Sequence, residues 1–438
     1  MTWPGLPASS GAMLLAVQYQ LEQTQWLQPG FLLEQQLRQF RSMLRHAVTT
    51  VPFYKDRLGD LDPDSIRSQD DYRQLPLLAR SEVQEAGERM LSAAVPTGHL
   101  PLNRTESSGS TARPIVTIGT EVTKLMWQAL LLREHIWHKR DFTGKLAAIR
   151  SKTVSGDYPG WGAPVDLAFH TGQAALLDLS RDVDEQLDWL REQAPDYLVS
   201  FASNIHLLAR RSSDRRLSIP GLREVRTYGE TLHPELRAVV RKAWGVDVVD
   251  SYSSEELGYI ALQCPQRFHY HVQSESLIVE VLRADGSPCT PGEIGQIVVS
   301  TLHNFAMPLI RYVSGDFAQV GAPCVCGRGL PVLSRILGRQ RNILTLPDGQ
   351  QRWPSFPSET WRHLAPVRQL QLIQRARDRI EARVVVQRSL NEAEREALTH
   401  AWRDCLGYAF AIDIVEVAEI PRSASLKFED FISEIATS

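Results

Sequence analysis

The chain has 438 residues, a formal net charge of −3, 43% apolar residues and 23% charged residues. That length suits a large domain plus a smaller one rather than a single core, and the near-neutral charge gives no electrostatic ground for nucleic acid or an anionic membrane as partner. No apolar run approaches the ~20 residues that span a bilayer. The apolar "AMLLAV" (12–17) has neither a basic flank before it nor a small-residue cleavage site after it, so it does not read as a signal peptide. The cysteines are Cys264, Cys289, Cys324, Cys326 and Cys405. An odd, sparse set argues against a disulfide framework and for a reducing cytoplasm.

In chain order, the first ~100 residues read as mostly helical, and "FLLEQQLRQFRSMLRHAV" has the spacing of an amphipathic helix packed on a core. "RTESSGSTARPIV" (104–116) then places Ser and Thr hydroxyls around a glycine ahead of an apolar run. "IVTI" (115–118) reads as a strand, and Thr120 as the N-cap of a helix with Val122, Leu125, Met126, Ala129 and Leu130 at helical spacing. "YLVSFA" (197–202), "EVRTYGE" (224–230) and "VDVVDSY" (246–252) alternate with helical stretches, which predicts a mostly parallel sheet with covering helices. From about 275 the character changes. "LIVEVL" (277–282) and "QIVVSTL" (296–302), joined by a Gly/Pro-rich turn, read as antiparallel strands. After "GRQRN" (338–342) come "LQLIQR", "IEARVVVQ", a helix over 390–404 and "AIDIVEVAEI", the pattern of a separate α+β domain. The expected class is α/β: a large N-terminal domain (1–338) with mixed, mostly parallel sheets and covering helices, plus a small C-terminal α+β domain (339–438).

Backbone N–H groups of a Gly-containing turn flanked by Ser and Thr hydroxyls form a concavity suited to phosphate oxygens. The loop lacks the Gly-Lys-Ser/Thr ending of a Walker-type loop, and a solvated polar turn has the same composition. Cys324 and Cys326 form a C-x-C, with Cys264 and His271 upstream. Three thiolates and an imidazole make a complete tetrahedral set for structural Zn²⁺, with His269 as an alternative to His271. Three buried thiols beside a polar loop would give the same letters.

Several segments in fixed order resemble the adenylate-forming enzymes, the superfamily of acyl-CoA synthetases, peptide-synthetase adenylation domains and luciferases. "SSGSTARP" (107–114) resembles their phosphate-binding loop, "YGET" (228–231) their adenine segment and "YSSEE" (252–256) their Tyr-x-Ser/Thr-Glu motif. "IRYVSGD" (310–316) resembles their ribose-binding stretch, "GRQRN" their hinge and "PRSASLKF" (421–428) the motif of their catalytic lysine. The short length, "CVCGR" and "HVQSESLIVEV" (271–281) are similar to the phenylacetate–CoA ligase-like branch.

The resemblance implies ATP-dependent activation of a carboxylate as an acyl-adenylate, then transfer to a thiol, usually that of coenzyme A. By the same resemblance, Ser107, Ser108, Gly109, Ser110 and Thr111 would hold phosphates, and Glu255 would bind Mg²⁺ shared with the nucleotide. Asp316 would accept from the ribose hydroxyls. Gly229, Glu230, Thr231, Tyr252, Ser253 and Ser254 would border the nucleotide, and Arg339 would sit near ribose or phosphate. Lys427 would stabilise charge developing between the carboxylate and the α-phosphate, with the small domain turning about residue 341 between steps. Trp161, Phe169, His170, Phe201 and Ala202 would line a flat pocket for an aryl or arylacetic acid, phenylacetate and benzoate or anthranilate types alike.

Three positions depart from the family pattern. Ala112 and Leu426 stand where glycine is usual, and Arg341–Asn342 replace an acidic pair. The function expected is an aryl acid–CoA ligase using ATP, Mg²⁺ and coenzyme A, with structural Zn²⁺ and plain buried thiols as the two readings of the Cys/His set. It is expected to be cytoplasmic, a monomer or homodimer, without nucleic acid or membrane as partner. The alternatives are transfer to a carrier-protein thiol or an amine, and a nucleotide-binding protein with a degraded site.

Overall fold

The computed structural model describes residues 8–106, 115–422 and 426–435. The chain divides into two compact units, Met1–Ile336 and Leu337–Ser438. The first unit opens with helices α1 (Ser9–Thr24), α2 (Pro29–Thr50), α3 (Pro52–Leu58), α4 (Gln69–Arg73) and α5 (Arg80–Ala86). In α2, Leu37, Phe40, Leu44 and Ala47 recur every three or four residues and are all buried. That stripe packs the helix on the main core, beside Tyr72, Ile297 and Tyr312.

A hairpin follows, β1 (Leu102–Glu106) antiparallel to β2 (Val116–Thr120). The Thr120 hydroxyl accepts from the Thr123 N–H at 3.2 Å and so caps α6 (Glu121–Trp137), as its position before the helical pattern requires. The chain then runs through β3 (Leu146–Arg150), β4 (Gly156–Tyr158), β5 (Ala174–Asp178), α7 (Val183–Gln193), β6 (Tyr197–Ser200), α8 (Ala202–Asp214), β7 (Glu224–Tyr228), α9 (Glu235–Trp244) and β8 (Asp247–Ser254). Strands β9 (Gly258–Gln263), β10 (Tyr270–Val272), β11 (Leu277–Leu282), β12 (Ile294–Thr301), β13 (Tyr312–Val320) and β14 (Val332–Arg339) complete a sheet of 12 strands. Its order is β11-β12-β13-β14-β10-β9-β8-β7-β6-β3-β5-β4.

The sheet is mixed, as expected, but among the described pairs of this sheet parallel pairing falls in the run β5-β3-β6-β7-β8. The pairs β4–β5, β8–β9, β9–β10, β10–β14, β11–β12 and β12–β13 are antiparallel, so "mostly parallel" describes only one half. The cause is the connections. A parallel pair needs a long crossover, usually a helix, and after Ser254 no α-helix among the described residues occurs until Glu392. Strands joined by short turns return antiparallel.

The second unit has a small pair, β15 (Leu344–Thr345) with β16 (Gln351–Arg352), and a sheet built from β17 (Val367–Ala376), β18 (Arg379–Val386), β19 (Ala411–Glu416) and β20 (Phe431–Ser433). Helix α10 (Glu392–Leu406) crosses between β18 and β19, which therefore pair in parallel. Asn391 caps it by accepting from the Glu394 N–H, and Gly407 ends it at φ +59°. Trp402, Leu398, Leu372 and Phe431 fill this unit's core. Among the described residues, no helix is long and apolar enough to cross a membrane.

Helix α6 is fastened to the parallel strands by buried charge. The Glu134 carboxylate accepts from Arg140 Nη2 at 3.1 Å and from Arg226 Nε at 3.2 Å, with a second, shorter bond from Arg226 Nη2. Arg140 Nε also donates to Glu224 at 2.6 Å. Burial alone would push the Glu134 carboxyl up, but Arg226 and Arg140 outweigh it and hold it at about 2. A depressed carboxylate contributes its full stability above its unfolded pKa of 4.5 and loses it as pH falls towards 2. Glu134→Gln, which leaves two buried guanidinium groups undercompensated, should therefore cost about 3 kcal/mol at pH 7. In denaturant titrations the gap to wild type should narrow between pH 4.5 and 2; a gap independent of pH would contradict this account.

Candidate active site

In open α/β sheets, ligands bind outside the carboxyl ends of the parallel strands. Here those ends bring Arg150 (β3), Ser200 (β6), Tyr228 (β7) and Ser254 (β8) to one edge. Phe201 N-caps α8, and its ring lies 5.1 Å from that of Tyr228 at 49°. The Arg150 guanidinium sits 5.7 Å from the Tyr228 ring centroid. Burial raises the Tyr228 phenol pKa; Arg150 opposes that, while Glu230 and Glu255 add to it. All three charges thus act on one ring. Gly229 takes φ +71°, turning the chain sharply after β7. Glu230 is thereby aimed at the start of α8, where it accepts from the Ser203 N–H at 2.8 Å and the Ser203 hydroxyl at 3.1 Å. A carboxylate there also faces the positive end of the helix.

The Tyr-Ser-Ser-Glu and Gly-Asp segments meet directly. The Tyr252 hydroxyl donates to Asp316 Oδ2 at 2.7 Å across 64 residues of chain. Beneath it lies a buried set: Asp250, two residues earlier on β8, accepts from Thr227 Oγ1 at 2.6 Å and Tyr270 Oη at 2.7 Å. Burial pushes the Asp250 carboxyl up to about 6 against those hydrogen bonds. Glu255 is exposed in the turn after β8, and the Leu257 N–H bonded to Ser254 Oγ at 3.2 Å holds that turn. Its neighbour Glu256 pairs with Arg80 at 3.2 Å, which leaves the two adjacent carboxylates in different settings. Ser253 is half-buried on the same strand.

The acyl-pocket residues divide. Phe201 and Ala202 are at the carboxyl edge beside Tyr228. Trp161 and Phe169 are not: Trp161 Nε1 donates to Gly144 O at 2.9 Å and its ring lies 5.3 Å from Tyr197, while Phe169 packs 4.8 Å from Phe142. Gly144 precedes β3 and Tyr197 begins β6, so this cluster covers the amino ends of those strands. Four residues of β-strand at ~3.3 Å each separate the two ends by about 13 Å. His170, next to Phe169 in the chain, is exposed. Phe201 and Ala202 therefore stand at the edge with Tyr228 and Arg150, and Trp161 and Phe169 stand apart from them. Arg150 closes the apolar run "LAAIR", a signal that reading for strands alone passed over.

Ser107, Ser108, Gly109, Ser110 and Thr111 lie outside the described residues, within the segment that connects β1 to β2 in the chain. Arg339 and Lys427 belong to the second unit. Lys427 is half-buried, and the preceding Leu426 sits at φ +61°, the left-handed conformation that glycine would supply there. Arg422 Nη1 donates to the Leu426 carbonyl at 3.0 Å and helps hold it. Leucine thus keeps the backbone path at a steric cost of about 1 kcal/mol. Arg341 Nη2 pairs with Glu429 at 2.7 Å, and Asn342 Nδ2 donates to the Phe431 carbonyl at 2.7 Å. The Arg341 side chain is therefore fastened within the small unit.

No family model matches the chain. It is 25% identical to the phenylacetate-coenzyme A ligase of Escherichia coli (strain K12), over 89% of this chain and 92% of that protein. It is also 25% identical to that of Thermus thermophilus, over 71% of each. Among solved structures, a 2-hydroxyisobutyryl-CoA ligase in the postadenylation state matches with a TM-score of 0.71 at 20% identity, covering 91% of this chain and 89% of that one. An anthranilate CoA ligase matches with a TM-score of 0.53 at 17% identity, covering 74% and 65%. The architecture is that of the adenylate-forming enzymes, AMP-forming acid–thiol ligases. Within them the chain is similar to the phenylacetate–CoA ligase-like branch.

Two substitutions test the local geometry. Tyr252→Phe removes the donor to Asp316 and should cost about 1 kcal/mol in denaturant unfolding, without loss of the fold. Leu426→Gly should leave stability unchanged or raise it by up to about 1 kcal/mol, because the left-handed strain is relieved; a clear loss would show that the leucine side chain is needed there.

Proposed function

We propose that the protein activates an aromatic carboxylic acid with ATP and passes the acyl group to the thiol of coenzyme A. The observation that carries this reading is the Tyr252–Asp316 bond, which joins two motif segments at the edge that also holds Tyr228, Glu230 and Glu255. Aromatic specificity is favoured by the ring pair Phe201–Tyr228 and by the named activities of the phenylacetate and anthranilate ligases that this chain resembles.

In the first step a carboxylate oxygen of the acid attacks the α-phosphorus of ATP, and pyrophosphate leaves. In the second the thiol sulfur of coenzyme A attacks the acyl carbonyl carbon; AMP leaves and the thiol proton passes to solvent. The protein's work in the first step is to bring two anions together. Asp316, oriented by the Tyr252 hydroxyl, accepts from the ribose hydroxyls. Gly229, Glu230, Thr231 and the strand residues Tyr252, Ser253 and Ser254 border the base, and residues 107–111 receive the distal phosphates. The exposed Glu255 carboxylate, a hard oxygen donor, fits Mg²⁺, which would neutralise phosphate charge. Lys427 stabilises the charge that develops between the carboxylate and the α-phosphate, and Arg339 neutralises nucleotide charge. Phe201 and Ala202 face the aryl group, beside Arg150.

Acid-dependent ATP–pyrophosphate exchange over a panel of benzoic, aminobenzoic and arylacetic acids tests the adenylation. Mass spectrometry with coenzyme A, a carrier protein or amines identifies the acceptor. Lys427→Ala should slow exchange on the order of 10²-fold with ATP binding nearly intact. Asp316→Asn should act mainly on KM for ATP, roughly tenfold. Exchange that is absent with every acid would end the ligase reading and leave a nucleotide-binding protein.

A further inference from the structure

The sulfurs and ring nitrogen of Cys264, His271, Cys324 and Cys326 lie within 4.8 Å of one another. From these side chains we infer a closed, structural zinc site that fastens the β13–β14 connection to β9, β10 and, through that connection, the turn between α1 and α2. Four ligands at tetrahedral angles, with Zn–S about 2.3 Å and Zn–N about 2.0 Å, must stand about 3.8 Å apart sulfur to sulfur and about 3.5 Å apart sulfur to nitrogen. Cys264 Sγ and Cys324 Sγ are 3.8 Å apart, and Cys326 Sγ and His271 Nε2 are 3.4 Å apart. The first distance is far beyond a disulfide bond, and the three cysteines are free of disulfides.

The surroundings are those of metal-bound thiolates. The Gln266 N–H points at Cys264 Sγ and the Cys326 N–H at Cys324 Sγ, each at 3.4 Å. The other ring nitrogen of His271 faces the Leu330 carbonyl at 3.5 Å, the kind of contact that fixes a ligand's tautomer. His271 and Cys264 are buried, at 0% and 1% exposure, which leaves protein donors on all corners and no position for a substrate. Three thiolates and Zn²⁺ carry a net negative charge, and the Arg328 guanidinium lies beside Cys326 to offset it. His269, whose ring is 5.3 Å from that of His271, is outside the set.

The position gives the clasp its use. Cys324 and Cys326 stand between the strand that bears Asp316 and the strand that ends at Arg339. Beyond the cysteines, the Gly329 N–H donates to Gln25 O at 2.9 Å and Arg328 Nε to Gln25 Oε1 at 2.7 Å. Arg328 also stacks on Trp26 and Trp137, at 4.8 and 4.4 Å. A Cβ at Gly329 would come within 1.8 Å of Leu27 O, so the backbones themselves touch. A connection with little apolar burial of its own is held in that contact by the metal.

The test uses the full chain, purified and dialysed against a weak chelator. Metal analysis should give one zinc per chain, and titration with a mercurial should release one equivalent to a chromophoric chelator. Cys324→Ser and Cys326→Ser should lose the metal, lower the Tm and open residues 321–331 to proteolysis, whereas Cys289→Ser, outside the cluster, should retain it. Co²⁺ substitution should give the intense visible bands of a tetrahedral thiolate site. Metal-free protein whose cysteines alkylate freely whether or not Zn²⁺ is added would overturn the inference, as would zinc retained in both serine variants. The mercurial titration needs no variant to fold. None of these readouts depends on ligase activity, so the site stands or falls apart from the catalytic proposal.

Discussion

Tyr252 can reach Asp316 only because the sheet does not lie flat. Strand β8 and strand β13 are separated in the sheet order by β9, β10 and β14. In a flat sheet four spacings of ~4.8 Å would put them about 19 Å apart, well beyond the reach of a tyrosine and an aspartate. Their 2.7 Å hydrogen bond requires the antiparallel half to curl back over the carboxyl edge of the parallel half. The pairing of β8 with β9 is irregular at Tyr252/Ser253, and a bulge of that kind increases local twist. The candidate active site is a product of that curl.

The curl needs rigid supports, and these are polar. Under Tyr252, Asp250 gathers Thr227 and Tyr270 from a parallel and an antiparallel strand, so one buried carboxylate stitches the halves together. On α6, Glu134 binds two arginines and ties the helix to the amino end of β7. Buried ions are poor sources of net stability, because desolvation offsets their attraction. They are demanding about geometry, and geometry is what a site assembled from distant segments requires. The four-ligand cluster at Cys264, His271, Cys324 and Cys326 extends the same logic to the connection between β13 and β14.

Leu426 shows a departure from a family pattern that is held in a left-handed conformation. Glycine is usual before the lysine because left-handed φ is free for it. Leucine adopts that left-handed conformation here, at φ +61°, which raises the energy of the segment. Arg341, which with Asn342 stands in place of an acidic pair, is bound to Glu429 inside its own unit, because a basic side chain at that position finds an acid to pair with.

Local information was enough for most elements. The period of α2, the Thr120 cap, the β11–β12 hairpin and the β17–β18–α10–β19 unit all depend on residues close in the chain, and each formed as its pattern requires. The ordered motifs likewise named Tyr252, Asp316, Glu230 and the Cys/His set. The sequence could not say which end of a strand an aromatic residue would cover, so Trp161 and Phe169 went to the amino ends while Phe201 went to the carboxyl edge. Nor could it say that parallel pairing would stop at β8, or that Arg150 and Ser203 would join the site. Those outcomes depend on strand order, connection length and twist, which are set by contacts between residues far apart in the chain and are settled only when the whole sheet closes.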